Sequence, residues 1–368
     1  MSVDPIRIEV PQTTLDRIAA KIADARIGYA PVDDAAWIYG TDARYLSELI
    51  DYWRTQYHWR EEEAELNRYP HFRAEIDGIV VHFQHVKAHG GYPTPIVLTH
   101  GWPGSIVEFQ AVIPLLVSAG FTVVVPSLPG YGWSGRPAKP VGPAFIAGLW
   151  RKLMVEALGY PRFFAQGGDW GSAVSTRLGL DHGDVVEAIH LNLFRTVLPG
   201  PNADQALRDH WAAVRKVAAA ENAYQMVHDT RPQTIGLALH DNPVGWAAWV
   251  IEKFQRWGDT RGDIESRFSK AQLITNLMTY LVTDSVISSI WAYRGRINEP
   301  DLEFPVRVPT GLAAYPAEFI HLPSRSLAER AYNVAHYAQL PAGGHFAAME
   351  VPQIFAADVI AFFSSQIR

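Results

Sequence analysis

An α/β fold, with a mainly parallel central sheet covered by helices on both faces, is the architecture that this chain of 368 residues predicts. Three observations point to it. Short apolar runs of buried-strand character recur at Ile96-Val97-Leu98, Val123-Val124-Val125, Phe163-Phe164-Ala165 and Val185 to Leu193, with helix-like stretches between them. Strands that alternate with helices imply crossover connections and a sheet buried on both sides. Two further runs, Val308 to Tyr315 and Val334 to Leu340, lie far downstream. The interval from 196 to 300 breaks the rhythm. It is aromatic and helix-like, with Trp211, Trp246, Trp249, Trp257 and Trp291, and reads as a helical cap inserted after the sixth strand.

Residues 1–70 are expected to form a helical extension ahead of the sheet. Thr13-Thr14 is placed to cap a helix with Leu15, Ile18, Ile22 and Ala25 on its apolar face, and Thr41-Asp42 a second with Leu46, Leu49, Ile50, Trp53 and Tyr57. Phe72, Ala74 and Ile76 alternate with polar residues, as do Val81, Phe83 and His85 beyond Asp77-Gly78, which predicts a hairpin with a two-residue turn. The resulting division is 1–70 for the extension, 71–195 and 301–368 for the two parts of the core, and 196–300 for the cap.

Composition narrows the function classes. The chain is 48% hydrophobic and 12% aromatic, enough for a large core and an aromatic pocket. The formal net charge is −6 and no Lys/Arg cluster interleaves with aromatics, so nucleic acid is not an expected partner. The absence of cysteine removes disulfides, thiolate metal sites and a Cys nucleophile together. No metal-ligand spacing or dinucleotide fingerprint is present, so no cofactor is expected. The N-terminus has neither the basic region nor the apolar run of a signal peptide, and no apolar stretch reaches the ~20 residues that span a bilayer. A cytoplasmic protein is the expectation.

The chemistry concentrates at four places. Gly167-Gly168-Asp169-Trp170-Gly171 follows a strand run and precedes a helix-like run from Ser172 to Leu180. This is the strand, sharp turn and helix of a nucleophile elbow, with Asp where hydrolytic enzymes usually carry Ser. A carboxylate needs no proton removed before it attacks, and it attacks saturated carbon well. The product is an enzyme ester that water must then cleave. Substrates with a leaving group on sp3 carbon, epoxides and alkyl halides, therefore rank above ordinary esters. His100-Gly101-Trp102-Pro103-Gly104-Ser105 follows the strand at 96–98, where such folds place one amide of the oxyanion hole. The residue after the nucleophile supplies the other, which nominates the amides of Trp102 and Trp170. His100 is read as support for that loop. Gly343-Gly344-His345-Phe346 follows the last strand, so His345 is the candidate general base. Glu318, a few residues past the strand at 308–315, is the acid to orient it. Asp301 and Glu303 compete, but they precede that strand and would point to its wrong end.

HGWPGS at 100–105, GGDWGS at 167–172, PTGLAAYPAE at 309–318 and GGHFAAME at 343–350 together resemble the motif set of microsomal-type epoxide hydrolases on the α/β-hydrolase fold. Asn242-Pro243-Val244-Gly245 and Glu252-Lys253-Phe254 extend the similarity into the cap, so that it covers nearly the whole chain. The resemblance implies Asp169 as nucleophile, His345 with Glu318 as the charge-relay pair, and two cap tyrosines that donate to the epoxide oxygen. By local match these are Tyr224 and Tyr293, with Tyr280 competing for the second role. It also implies a cis Trp102-Pro103 bond. Trp246 and Trp249 are candidates for the substrate wall, which favours apolar or aryl epoxides.

The expected reaction converts an epoxide and water to a vicinal diol through an ester on Asp169. A haloalkane dehalogenase shares the Asp nucleophile and the Asp-Trp-Gly elbow, but needs halide-binding N–H donors where this chain offers phenols. A non-catalytic ligand-binding module would not need all three triad positions filled. The N-terminal segment is expected either to brace the cap or to form a contact between subunits of a homodimer.

Overall fold

A computed structural model describes residues 1–33, 37–90, 92 and 94–367. Its centre is a nine-stranded sheet in the order β1-β2-β3-β5-β4-β6-β7-β8-β9. The strands are β1 (Asp4–Ile6), β2 (His71–Ile76), β3 (Ile79–Val86), β4 (Ile96–Thr99), β5 (Val123–Pro126), β6 (Phe163–Gly167), β7 (Val186–Leu191), β8 (Val306–Ala314) and β9 (Tyr332–Gln339). β1, β2, β3 and β5 pair antiparallel in succession, whereas every pair from β5 across β4 to β9 is parallel. The β2–β3 hairpin turns at Asp77 and Gly78, both at positive φ (51° and 75°), with Ile76 opposite Ile79. That is the two-residue turn whose twist matches the strands.

The apolar runs divide by alternate residues between the two faces, as a period of two requires. Ile96, Leu98, Val123, Val125 and Phe164 pack with Ile113, Leu116, Phe355, Val359 and Phe363, under the helices Ile113–Ser118 and Pro352–Gln366. Val97, Val124, Phe163, Ala165, Ile189 and Leu191 pack with Ala147, Trp150, Val174 and Leu178, under Pro143–Lys152 and Asp169–Asp181.

Two features depart from the sequence expectation. Asp4–Ile6 adds an edge strand at the start of the extension, so the cap follows the seventh strand, not the sixth. The first helix spans Gln12–Ala23 with Pro11 at its N-cap and no side-chain cap, so Thr13-Thr14 lie inside it. The second, Ala43–Thr55, starts as expected: Asp42 accepts from the amides of Arg44 and Tyr45 at 2.9 and 3.0 Å.

Between β7 and β8 the α-helices are Gln205–Glu221, Ala223–Thr230, Pro232–His240, Pro243–Trp257, Lys270–Leu281 and Val286–Ile297. The N-terminal segment braces them. Tyr57 Oη lies 3.1 Å from Thr275 Oγ1, Thr41 Oγ1 donates to the Ala248 carbonyl, and Arg17 and Lys21 both reach Asp241. Among the described residues no single helix is long and apolar enough to cross a membrane.

The C-terminal helix is fastened by one carboxylate. Asp358 bridges His190 Nε2 on β7 at 2.9 Å and His336 Nε2 on β9 at 2.7 Å. Burial would raise the Asp358 pKa, but the two imidazoles outweigh it and hold it below the ordinary carboxylate value. A depressed carboxylate stabilises the fold above its unfolded pKa of about 4, and that contribution is lost as pH falls through the folded value. Asp358→Ala leaves two imidazoles without their acceptor and is expected to cost about 2–3 kcal/mol, the scale for leaving buried donors unpaired. Urea unfolding at pH 7 measures this; an unchanged midpoint would show the bridge contributes nothing.

Candidate active site

The site forms where β4, β6, β8 and β9 end. Asp169 stands at the elbow between β6 and the helix Asp169–Asp181, at φ +47°. A non-glycine residue in that region is strained, and its surroundings must hold it there. The glycines around it make the turn possible. A Cβ at Gly167 would stand 2.1 Å from the Gly171 backbone, and one at Gly171 would stand 1.8 Å from the Thr99 carbonyl. Strand, turn and helix therefore touch backbone to backbone.

The Trp102 amide donates to Asp169 Oδ1 at 2.8 Å. The Trp102–Pro103 bond is cis. The loop carrying it is held from the cap: Asn276 Nδ2 donates to the Pro103 carbonyl at 2.7 Å, Ser105 Oγ donates to Asn276 Oδ1 at 2.8 Å, and Tyr280 Oη donates to the Gly104 carbonyl. His100 holds it from below. Its Nε2 accepts from the Leu128 amide at 3.2 Å, which leaves Nδ1 to donate to the Gly101 carbonyl at 3.0 Å. Burial lowers the His100 pKa to about 4, so this ring is neutral. The Trp170 amide lies in the first turn of its helix, where N–H groups have no intrahelical acceptor.

His345 Nε2 faces Asp169 Oδ2 from 3.4 Å, and His345 Nδ1 faces both oxygens of Glu318 at 3.0 Å. The side chains of His345 and Glu318 are both 1% exposed. Burial alone would lower the His345 pKa, but Glu318 and Asp169 on either side raise it well above the ordinary imidazole value. Asp301 and Glu303, the competing acids, are exposed ahead of β8.

The candidate phenols lie over the elbow. Tyr224 stacks on Trp102 with centroids 5.5 Å apart, and Tyr293 meets Trp170 edge-on at 4.8 Å and Tyr224 edge-on at 5.9 Å. Burial raises both pKa values, and Asp169 pushes in the same direction. The Tyr293 hydroxyl is buried and faces that of Tyr224, whereas that of Tyr280 is committed to Gly104. Trp246 has no accessible surface and backs Trp102 and Tyr280. Trp249 is half-buried and donates through Nε1 to His228 Nε2 at 3.2 Å.

Three residues here escaped the sequence reading. Glu350 accepts from the amides of Gly344 at 2.9 Å, Phe346 at 2.8 Å and Asp259 at 2.7 Å, and so sets the loop that carries His345. Burial pushes its pKa up to about 7 in spite of those donors. Glu108 fills the space that a side chain at 104 would need, since a Cβ at Gly104 would stand 1.6 Å from its Oε1. Burial lifts its pKa to about 8, with His345 opposing and Asp169 adding to the rise. Asn276 is the third. The signal available for Glu350 was its place as the last residue of GGHFAAME; Glu108 and Asn276 had none.

Gly101→Ala would put a Cβ 2.2 Å from Asp169 Oδ1. The Trp102 amide must then leave the carboxylate, and kcat is expected to fall ~100- to 1,000-fold, the loss typical of one oxyanion donor. Steady-state turnover checks it, and an undiminished kcat would contradict this placement.

A carboxylate on a strand-to-helix elbow, faced by an amide loop and a His–Glu pair and roofed by an inserted helical cap, defines an α/β-hydrolase. Residues 94–222 match the family model for the alpha/beta hydrolase fold, and residues 3–109 match that for the epoxide hydrolase N terminus. Epoxide hydrolase 1 of Oryctolagus cuniculus is 34% identical, over 98% of this chain and 88% of its own length. The crystal structure of juvenile hormone epoxide hydrolase from Bombyx mori superposes with TM-score 0.90 at 28% identity, covering 99% of this chain and 94% of that one. Aspergillus niger epoxide hydrolase superposes with TM-score 0.88 at 30% identity, over 100% and 97%. The chain belongs to the epoxide hydrolase family and is an enzyme of that class.

Proposed function

We propose that the epoxide is opened by Asp169 through a covalent ester, which water activated by His345 then hydrolyses. The observation that carries this reading is the division of labour at one carboxylate: Oδ1 is held by the Trp102 amide at 2.8 Å, and Oδ2 is left beside His345. Oδ2 attacks the epoxide carbon from the side opposite the C–O bond, which breaks. Tyr224 and Tyr293 donate to the oxygen as it becomes an alkoxide. The alkoxide takes up one proton, and the net donor is the imidazolium of His345. Its excess stability is partly due to the Asp169 charge, which the ester abolishes.

Neutral His345 now removes a proton from water. The hydroxide adds to the Asp169 carbonyl carbon, and the oxyanion forms on Oδ1, where the Trp102 and Trp170 amides receive it. Collapse expels the second alkoxide, which takes the proton of the added hydroxyl and leaves as the alcohol of the diol. Asp169 is again a carboxylate and His345 again an imidazolium, so atoms and protons balance over the cycle. Glu318 holds the Nδ1 side throughout. The aromatic rings grouped over Asp169, namely Trp102, Trp170, Tyr224 and Tyr293, suit an apolar or aryl epoxide. The phenols over Asp169 favour this reading over dehalogenation, for which N–H donors would have to face a halide.

A single turnover in oxygen-18 water tests it. The label is expected in the Asp169 carboxyl after one turnover, ahead of its appearance in the diol. Label found first in the diol would mean that water attacks the epoxide directly.

A further inference from the structure

Glu252-Lys253-Phe254 has no part in that scheme, although Lys253 reaches the site. On the helix Pro243–Trp257, Trp249, Lys253 and Trp257 are spaced by four and share one face. The Lys253 ammonium stands 5.1 Å from the Tyr224 ring centroid, 5.7 Å from that of Trp249 and 5.8 Å from that of Trp257. Its side chain is 12% exposed and paired with the Glu252 carboxylate, itself 15% exposed. A cation is thus kept among three rings, close to the phenol proposed to donate to the epoxide. The anions around Tyr224, namely Asp169, Asp229 and Glu318, all disfavour negative charge on that phenol.

We propose that Lys253 is a positioning residue for ring opening: its ammonium over the Tyr224 ring stabilises the negative charge that Tyr224 gathers as it yields its proton to the epoxide oxygen. This rests on the reading of Tyr224 as a donor. The attraction of a cation to an aromatic face grows with the electron density of the ring. A phenol surrendering its proton becomes richer, so the interaction is stronger in the transition state than before it, and only such a difference accelerates a step. Glu252 keeps the ammonium aimed. Ester hydrolysis does not call on the Tyr224 proton in the same way, so the effect belongs to the first half-reaction.

Rapid-quench single turnovers with styrene oxide, following the Asp169 ester and the diol by mass spectrometry, test this. Lys253→Met is expected to slow ester formation about 3- to 30-fold, the range open to a desolvated cation–π contact, and to leave ester hydrolysis within about twofold. Lys253→Arg, which keeps a cation over the ring, is expected to restore most of the rate. In a Tyr224→Phe background Lys253→Met should add nothing, because the Phe ring keeps the packing and lacks the proton. Lys253→Gln takes the place of Lys253→Met if the latter does not fold. Ester formation unchanged by losing the cation, both half-reactions slowed alike, or an effect that persists in the Tyr224→Phe background would each overturn the inference. If Tyr224→Phe itself leaves ester formation unchanged, the phenol reading fails; if Tyr224→Phe is slow and Lys253→Met is normal, this inference alone fails.

Discussion

Asp169→Ala is expected to lower kcat/KM for epoxide hydrolysis by ~10^4-fold or more, the scale on which enzymes lose a covalent nucleophile. The size follows from geometry. His345 Nε2 is 3.4 Å from Oδ2 of Asp169. On the proposed covalent route, removing the carboxylate leaves no anion to attack the epoxide carbon and no ester for activated water to cleave. It also takes away one of the two negative charges that hold the His345 proton. The fold should survive, because the elbow is shaped by the glycine contacts at 167 and 171 rather than by the side chain at 169. Diol formation measured by chromatography, beside a thermal melt, checks both parts. A folded variant with near-normal turnover would refute the covalent route.

His345→Gln has the second-largest expected effect, and it is of a different kind. Gln retains an amide N–H for Glu318 but has no basicity, so the ester should form, its ring-opened oxygen drawing a proton from solvent through the phenols in place of His345, and then persist. General-base assistance is worth ~100- to 10,000-fold, and the lifetime of the ester should lengthen by that factor. Intact-protein mass spectrometry after epoxide addition should show near-stoichiometric adduct, and peptide mapping should place it on Asp169. Diol release without detectable adduct would mean that His345 does not serve the hydrolytic step.

The strands were legible because each buried run is short, apolar and bounded by turn residues. Their ends were less so: β8 starts at Val306, two residues before the apolar run, because the ladder to Tyr332 extends past it. Asp4–Ile6 was missed since three residues including a proline carry no periodicity; the strand exists through its pairing with His71 to Arg73. The positions of Asp169, His345 and Glu318 could be read because each sits among turn residues just beyond a strand, where the sheet delivers side chains to one rim. The side chains that hold them could not. Asn276 bonds Pro103 across 173 residues and Tyr280 bonds Gly104 across 176. On their own helix, both look like ordinary members of an amphipathic run. Lys253 carries a likeness to the family in its sequence but no role until the fold lays its helix against Tyr224.

The Glu350 carboxylate reaches a partner 91 positions back along the chain. One of its oxygens takes the amide of Asp259, just past the end of a cap helix, and that of Gly344, next to His345. The His345 amide in turn donates to the Trp257 carbonyl at 3.0 Å. Roof and His345 loop are therefore riveted together at this corner. Engineers who transplant a roof from a relative should carry positions 257–259 and 350 as one cassette, since a mismatched join would throw the imidazole out of line while every reacting residue remained in place.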